Sequence, residues 1–71
     1  MTISYKKLWK LLIDKNMKRT DLIKFADIST STLAKLGKNE PVKLDILKKI
    51  CMAFHCDIGD VLEFVEDENA I

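Results

Sequence analysis

The chain has 71 residues, which is enough for one small domain and too few for two. Its 12 basic and 11 acidic residues give a net charge of +1, and this bulk value alone argues against a nucleic-acid binder. The charges are separated along the chain, however. Residues 1–50 hold all 12 basic residues and five acids, a net charge of +7, whereas residues 51–71 hold six acids and no Lys or Arg, a net charge of −6. This asymmetry indicates a functional polarity that the total hides.

The composition also excludes several classes of protein. A hydrophobic fraction of 48% predicts a folded chain rather than a disordered one. No apolar run approaches the roughly 20 residues of a membrane span, and the N-terminus lacks the pattern of a secretory signal. We therefore expect a cytoplasmic protein without a membrane segment, in which Cys51 and Cys56 stay reduced.

The apolar spacing predicts an all-α fold of five short helices. They are expected at about Ser4 (as cap) to Asn16, Arg19–Ala26, Thr30–Leu36 with Ser29 as cap, Lys43–Phe54, and Ile58–Val65 with Asp57 as cap. No segment of four or more residues alternates with the period of a strand. Residues 1–65 are predicted to form the single domain, and residues 66–71 an acidic tail.

Three residues carry the predicted helix ends and turns. Asn16 tolerates the left-handed conformation that ends many helices, and Asp27 is suited to the tight turn between the second and third helices. Gly37 is expected to stop the third helix. Inward-facing positions are predicted for Leu8, Leu11 and Leu12 in the first helix, and for Leu44, Leu47, Ile50, Cys51 and Phe54 in the fourth.

The second and third predicted helices and their three-residue turn have the dimensions of a helix-turn-helix. Leu22 and Leu36 mark its inward side, whereas residues 30–32 and Lys35 form a small, polar and basic outward side. A major groove about 12 Å wide admits one helix of this kind. The Ser/Thr run 29–32 is also explained in part as a helix cap, although one cap needs only one hydroxyl.

The chain resembles the lambda-repressor-like, Cro-type helix-turn-helix domains of small bacterial and phage regulators. The resemblance covers about three quarters of the chain and rests on its combined spacings. The matching residues are Leu8 and Leu11; Asp21-Leu22, Ala26-Asp27-Ile28-Ser29 and Ser31-Thr32-Leu33-Ala34-Lys35-Leu36; Pro41; Leu44, Leu47, Ile50, Cys51 and Phe54; and Asp57-Ile58-Gly59-Asp60-Val61-Leu62.

The resemblance implies a role for particular positions. Thr30, Ser31 and Lys35 would read bases, and the positions implied to contact the DNA backbone are Arg19, Ser29, Thr32, Lys38 and Asn39. The sequence departs from the family pattern at Ile23, at Asp27, and at the pair Leu12 and Gly37, which stands where an ion pair is common. The lysines outside the motif are explained sufficiently as a solvated helical surface.

No catalytic or metal site is predicted. Cys51, His55 and Cys56 are three soft ligands within six residues, but a structural zinc site needs four. His55 is the only histidine, and no paired carboxylates or Gly-rich phosphate loop accompany it. We therefore expect neither an enzyme nor a cofactor or metal.

The C-terminal helix predicted over 58–65 is the expected partner surface. Val61, Phe64 and Val65 are the candidate homodimer contacts, because an apolar residue such as Phe64 off the buried face suggests an interface; the resemblance supports dimerisation there. Packing of Phe64 under the tail remains an alternative.

Two functions follow from these observations. The first is a sequence-specific regulator of double-stranded DNA, expected to be a repressor that acts as a homodimer. The second is a protein-interaction module of the same fold, antitoxin-like or an anti-regulator, which would act mainly through a protein partner. The bulky Ile23, the exposed Phe64 and the acidic end motivate this alternative.

Overall fold

The computed structural model describes residues 1–66. In chain order its elements are β1 (Thr2–Ser4), α1 (Lys6–Asp14), α2 (Asp21–Phe25), α3 (Thr30–Gly37), α4 (Leu44–Phe54), a 3₁₀ turn (Ile58–Asp60) and β2 (Glu63–Val65). Residues 67–71, most of the predicted acidic tail, lie outside the described residues. The domain boundary at residue 65 therefore stays a prediction.

The mainly helical architecture is confirmed, but two short strands and the number of helices correct the prediction of five helices. β1 and β2 pair antiparallel, with Ile3 opposite Phe64 at the centre. Four α-helices are present in residues 1–66, and the fifth predicted helix is wrong: only Ile58–Asp60 is helical, as a single 3₁₀ turn. Each strand has three residues, too short for alternation to be visible, and its partner lies at the other end of the chain.

The local turn chemistry is largely confirmed. Asn16 and Asp27 have left-handed φ angles of 60° and 56°. Gly37, in contrast, is the last residue of α3, and the left-handed position falls two residues later, at Asn39 with φ 56°. Asn tolerates this conformation better than most residues, so Gly37 is not required for it.

The starts of the first two helices differ from the prediction. Ser4 belongs to β1 and Tyr5 takes the cap position of α1, although the Ser4 hydroxyl still accepts a hydrogen bond from the Lys6 N–H at 3.3 Å. Before α2, the Asp21 carboxylate reaches back to the Lys18 N–H at 2.8 Å. An acid that satisfies a free N–H at a helix start stabilises that start.

The core lies between the helices, and Val61, which follows the 3₁₀ turn, packs into it. Fully buried side chains include Leu8, Leu22, Leu36, Ile50 and Val61. Leu44 was predicted inward but is 70% exposed, and Ile13, an apolar residue outside the predicted buried stripe of the first helix, is 74% exposed. Leu44 is the first residue of α4 and Ile13 the last but one of α1, where fewer neighbouring elements are available to cover them. Among residues 1–66, no helix has the length and apolar character needed to cross a membrane.

Candidate nucleic-acid interface

The helix-turn-helix is built on a small set of buried side chains. Leu22 of α2 and Leu36 of α3 have no exposed surface, and Ala26 and Ile28 beside the turn are almost as buried. The left-handed Asp27 allows the chain to reverse between them. These contacts fix α3 against α2, so the opposite side of α3 faces outward.

The outward side of α3 carries the predicted base-reading residues. Thr30, Ser31 and Lys35 are all exposed, and so is Ala34. Ser31 and Lys35 are four residues apart, so they lie side by side on the helix surface. Ala34 beside them has a small side chain, which projects little from the helix surface. The arrangement combines short hydroxyls with one long cation, as a groove-facing helix requires.

Ser29 and Thr32 form a cap at the N-terminus of α3. The Ser29 Oγ accepts a hydrogen bond from the Thr32 N–H at 3.1 Å and donates to the Thr32 Oγ1 at 2.9 Å. The backbone of Ser29 is extended, as is usual at this position. The predicted cap is therefore confirmed, and both hydroxyls have partners within the protein.

We expect Ser29→Ala to lower the free energy of unfolding by about 1 kcal/mol, because one N–H of α3 loses its acceptor. Urea unfolding followed by circular dichroism measures the change. Thr30→Ala is the matched control, because no side-chain hydrogen bond of Thr30 is present within residues 1–66, and it should leave stability unchanged or slightly higher since Ala favours helices. Equal stability of Ser29→Ala and wild type would contradict the capping role.

The loop after α3 is anchored to the start of α1. The Asn39 Oδ1 accepts a hydrogen bond from the Tyr5 N–H at 3.2 Å, and the Tyr5 hydroxyl donates to the Glu40 carbonyl at 2.8 Å. Tyr5 is 1% exposed. Asn39 thus has a structural role that the amino-acid sequence did not indicate. Lys38, the cap residue at the end of α3, is exposed beside this anchored loop.

A second cation near Lys35 was missed by sequence reasoning. A shallow cleft between α3 and the start of α4 is lined by Thr32, Lys35, Val42, Lys43 and Ile46. Lys43 was assigned only to the start of the fourth helix, and it is the cap residue of α4. In the sequence, only the basic character of residues 35–43 pointed to Lys43. Such a basic segment does not show which of its lysines share a surface. The cleft places Lys35 and Lys43 on one face of the protein.

Arg19 lies just before α2 and contacts Trp9 of α1. Its guanidinium Cζ stacks 3.9 Å from the centre of the Trp9 ring. The residue as a whole is exposed, and it stands two positions before α2. The family resemblance implied a phosphate contact for Arg19 but did not indicate its aromatic partner.

The two cysteines lie in the turn that ends α4. The Cys56 N–H bonds to the Cys51 carbonyl at 3.0 Å and the His55 N–H to the Met52 carbonyl at 3.3 Å, around a left-handed His55 with φ 54°. This is a Schellman cap, which brings the side chains at both of its ends together. Within residues 1–66, no three His, Cys, Asp or Glu side chains are grouped so that they would hold a metal ion.

Both thiols should ionise only at elevated pH. Burial raises the pKa of Cys51 and of Cys56, and the nearby carboxylates of Asp57 and Asp60 raise both further. Because the thiolate is the reactive form, we expect the alkylation rate with iodoacetamide to rise with pH at a higher midpoint in the native chain than in the urea-unfolded chain. Mass spectrometry of quenched samples measures both profiles. Coinciding midpoints would contradict the prediction.

The structure places the three predicted dimer contacts in different environments. Val61 has no exposed surface and packs in the core, so its assignment to an interface is wrong. Phe64 is 64% exposed on β2, opposite Ile3. Val65 is half-buried next to it. Of the three, Phe64 offers the largest free apolar surface.

Phe64 stands at the edge of an apolar groove. The groove measures about 460 Å³ and is lined by Ile3, Tyr5, Pro41, Val42, Leu47, Ile58, Gly59, Leu62, Glu63 and Phe64. The Glu63 carboxylate is paired with the Lys7 ammonium at 3.4 Å. Closing this groove would therefore bury apolar surface without isolating an unpaired carboxylate.

The fold and its polar recognition face define the class: a helix-turn-helix DNA-binding protein. Residues 7–67 match the family model of the Cro/C1-type HTH DNA-binding domain. The chain belongs to this family and is a transcriptional regulator with a DNA-binding domain of the Cro/C1 type, not an enzyme.

Two known proteins illustrate the relationship. The chain is 34% identical over 61 residues to the uncharacterized HTH-type transcriptional regulator YozG of Bacillus subtilis (strain 168), covering 83% of this chain and 73% of YozG. It is also similar to the crystal structure of the transcriptional regulator VanUg, with 50% identity and a TM-score of 0.88. That match covers 93% of this chain and 88% of VanUg.

Proposed function

We propose that the protein is a sequence-specific repressor that binds double-stranded DNA as a homodimer in the cytoplasm. The observation that carries this proposal is the exposed face of α3, where Thr30, Ser31 and Lys35 surround the small Ala34. This face meets the requirements of a helix that enters a major groove. Occupying a promoter is sufficient for repression and needs no further activity.

The residues divide into two groups by chemistry. Lys35 carries donors for guanine O6 and N7, and Thr30 and Ser31 offer hydroxyls, with the Thr30 methyl available to thymine. Arg19, Lys38 and Lys43 are exposed cations suited to phosphates. Ser29 and Thr32 already bond to each other, so they support phosphate binding mainly by holding the first turn of α3, while the Asn39 amide retains its N–H donors.

A second copy of this chain is the proposed occupant of the apolar groove. In residues 1–66 β2 pairs only with β1, so the other edge of β2 has no strand partner. Antiparallel pairing of β2 with β2 of another copy is two-fold symmetric, as a C2 interface requires. It would bring Phe64 of each copy to the groove of the other. The charges also permit this approach, since Glu63 on the rim is already neutralised by Lys7.

The dimer also suits the DNA. An eight-residue helix is about 12 Å long and reaches only a few base pairs. Two copies related by a two-fold axis would read two half-sites about 10 bp, or a multiple of this, apart.

Selection of bound sequences from a random duplex library tests the proposal. We expect enrichment of an inverted repeat at ~100 mM salt, since specific sites are bound 10³–10⁷ times more tightly than other DNA by proteins of this kind. Ser31→Ala with Lys35→Ala is the matched negative control, because both residues are exposed and outside the core. No enrichment with the folded wild-type chain would refute DNA reading. A co-purifying protein partner in that case would favour the interaction-module alternative.

A further inference from the structure

The guanidinium of Arg19 lies between α1, which precedes it in the chain, and the end of α3. Its Cζ is 3.9 Å from the centre of the Trp9 ring on α1. Its Nη1 is 3.7 Å from the point where a Cβ would stand on Gly37, the last residue of α3. A Cβ would fit there at ordinary contact distance, whereas a side chain larger than that of Ala would crowd the guanidinium against α3.

The stack leaves the hydrogen-bonding edge of Arg19 available. In residues 1–66 the two ion pairs are Lys7 with Glu63 and Lys49 with Asp27, and neither involves Arg19. No side-chain hydrogen bond of Arg19 to residues 1–66 is present either. The five N–H donors of a guanidinium point outward in its plane, whereas an aromatic ring covers only its face.

We propose that Trp9 is a positioning residue for DNA-backbone binding, which holds the Arg19 guanidinium ready for a phosphate. The inference rests on the proposed function, since it concerns how that DNA site binds. Trp9 is half-buried and packs against the core, so its ring is a fixed platform. A guanidinium already held in one orientation loses less side-chain entropy when it forms two parallel bonds to a phosphate.

Trp9 affects DNA binding by holding Arg19, so its contribution does not depend on the base sequence. Removing the ring should weaken binding to every duplex by the same factor. A cation–π contact at an exposed site corresponds to roughly two- to fivefold in an equilibrium constant. The small size of Gly37 also helps to position Arg19, because a larger side chain there would displace the guanidinium without altering Trp9.

A double-mutant cycle tests the inference on the full chain. Binding to the selected operator and to a random duplex is titrated at several salt concentrations for wild type, W9L, R19A and W9L/R19A. We expect W9L to weaken both duplexes about two- to fivefold, and R19A to weaken both and reduce the salt slope by about one. W9L should add nothing in the R19A background. W9F, which keeps an aromatic face, should remain close to wild type.

Gly37→Val provides a second route if W9L does not fold, as judged by circular dichroism. It should weaken both duplexes and be silent in the R19A background. Gly37→Ala is its control and should bind like wild type, since a Cβ meets Arg19 at an ordinary contact distance. Trp9 is the only tryptophan, so R19A should also change the fluorescence emission of the protein without DNA.

The outcomes separate the two proposals. If W9L and Gly37→Val weaken binding equally with and without Arg19, their effect is structural and the positioning role is overturned. If both bind like wild type, the positioning role fails while the proposed function stands. If folded wild-type protein selects no DNA sequence and binds no duplex, the proposed function itself fails.

Discussion

Lys35→Ala is expected to lower affinity for the selected operator by about ten- to a hundredfold, while binding to a random duplex changes little. The loss of one bidentate base contact corresponds to this factor. Lys35 is exposed in the last turn of α3 and lines the cleft beside Lys43, so its removal leaves the core intact. Titrations of operator and random duplex by fluorescence anisotropy give the ratio directly.

Lys48→Ala is the matched control for this substitution. Lys48 is also an exposed helical lysine, but it lies on α4 outside the residues that line the cleft. It removes the same charge, so a general electrostatic effect would weaken both variants equally. Equal ratios of operator to random binding in Lys35→Ala and wild type would place the base contacts elsewhere.

Phe64→Thr is expected to convert the dimer to a monomer and to weaken operator binding a hundredfold or more at nanomolar protein. Linking two half-site contacts through a dimer raises apparent affinity by about 10²–10⁴. Phe64 is 64% exposed, so its replacement costs the monomer little, and Thr is compatible with the β2 strand. Analytical ultracentrifugation and operator titration on the same samples measure both effects.

Met52→Thr serves as the control for loss of exposed apolar surface. Met52 is 65% exposed on α4, away from the groove that contains Phe64. It should leave both the mass in solution and the affinity unchanged. A Phe64→Thr variant that remains a dimer would show that the groove is not the interface.

The helix-turn-helix was predictable because its determinants are local. The positive φ of Asp27, the Ser29 cap and the burial of Leu22 and Leu36 all depend on residues within a short segment. Apolar spacing and turn chemistry over such distances are visible in a sequence. The exposure of Thr30, Ser31 and Lys35 followed from the same periodicity.

The C-terminal segment was mispredicted because its conformation depends on a distant partner. Ile58, Val61, Leu62 and Val65 have the spacing of one helix face, which is why a helix was predicted here. β1 competes for this segment, and its backbone groups pair with residues 63–65. Propensity is a weak guide where tertiary pairing offers an alternative.

The separation of charge was only partly informative. Asp57 and Asp60 form a reciprocal cap of the 3₁₀ turn, and Glu63 pairs with Lys7. These three acids of the acidic half thus have local structural roles. The basic half, in contrast, does contain the exposed face of α3 that we propose to read DNA.

The sequence by itself determined the family, the helix-turn-helix and the outward residues of its second helix, since these follow from contacts between residues a few positions apart. Only the tertiary structure decided that residues 2–4 and 63–65 pair as a sheet, that Val61 is buried while Phe64 is exposed, and that Arg19 stacks on Trp9 beside Gly37. Each of these depends on which distant elements approach one another. Periodicity along a chain does not contain that information.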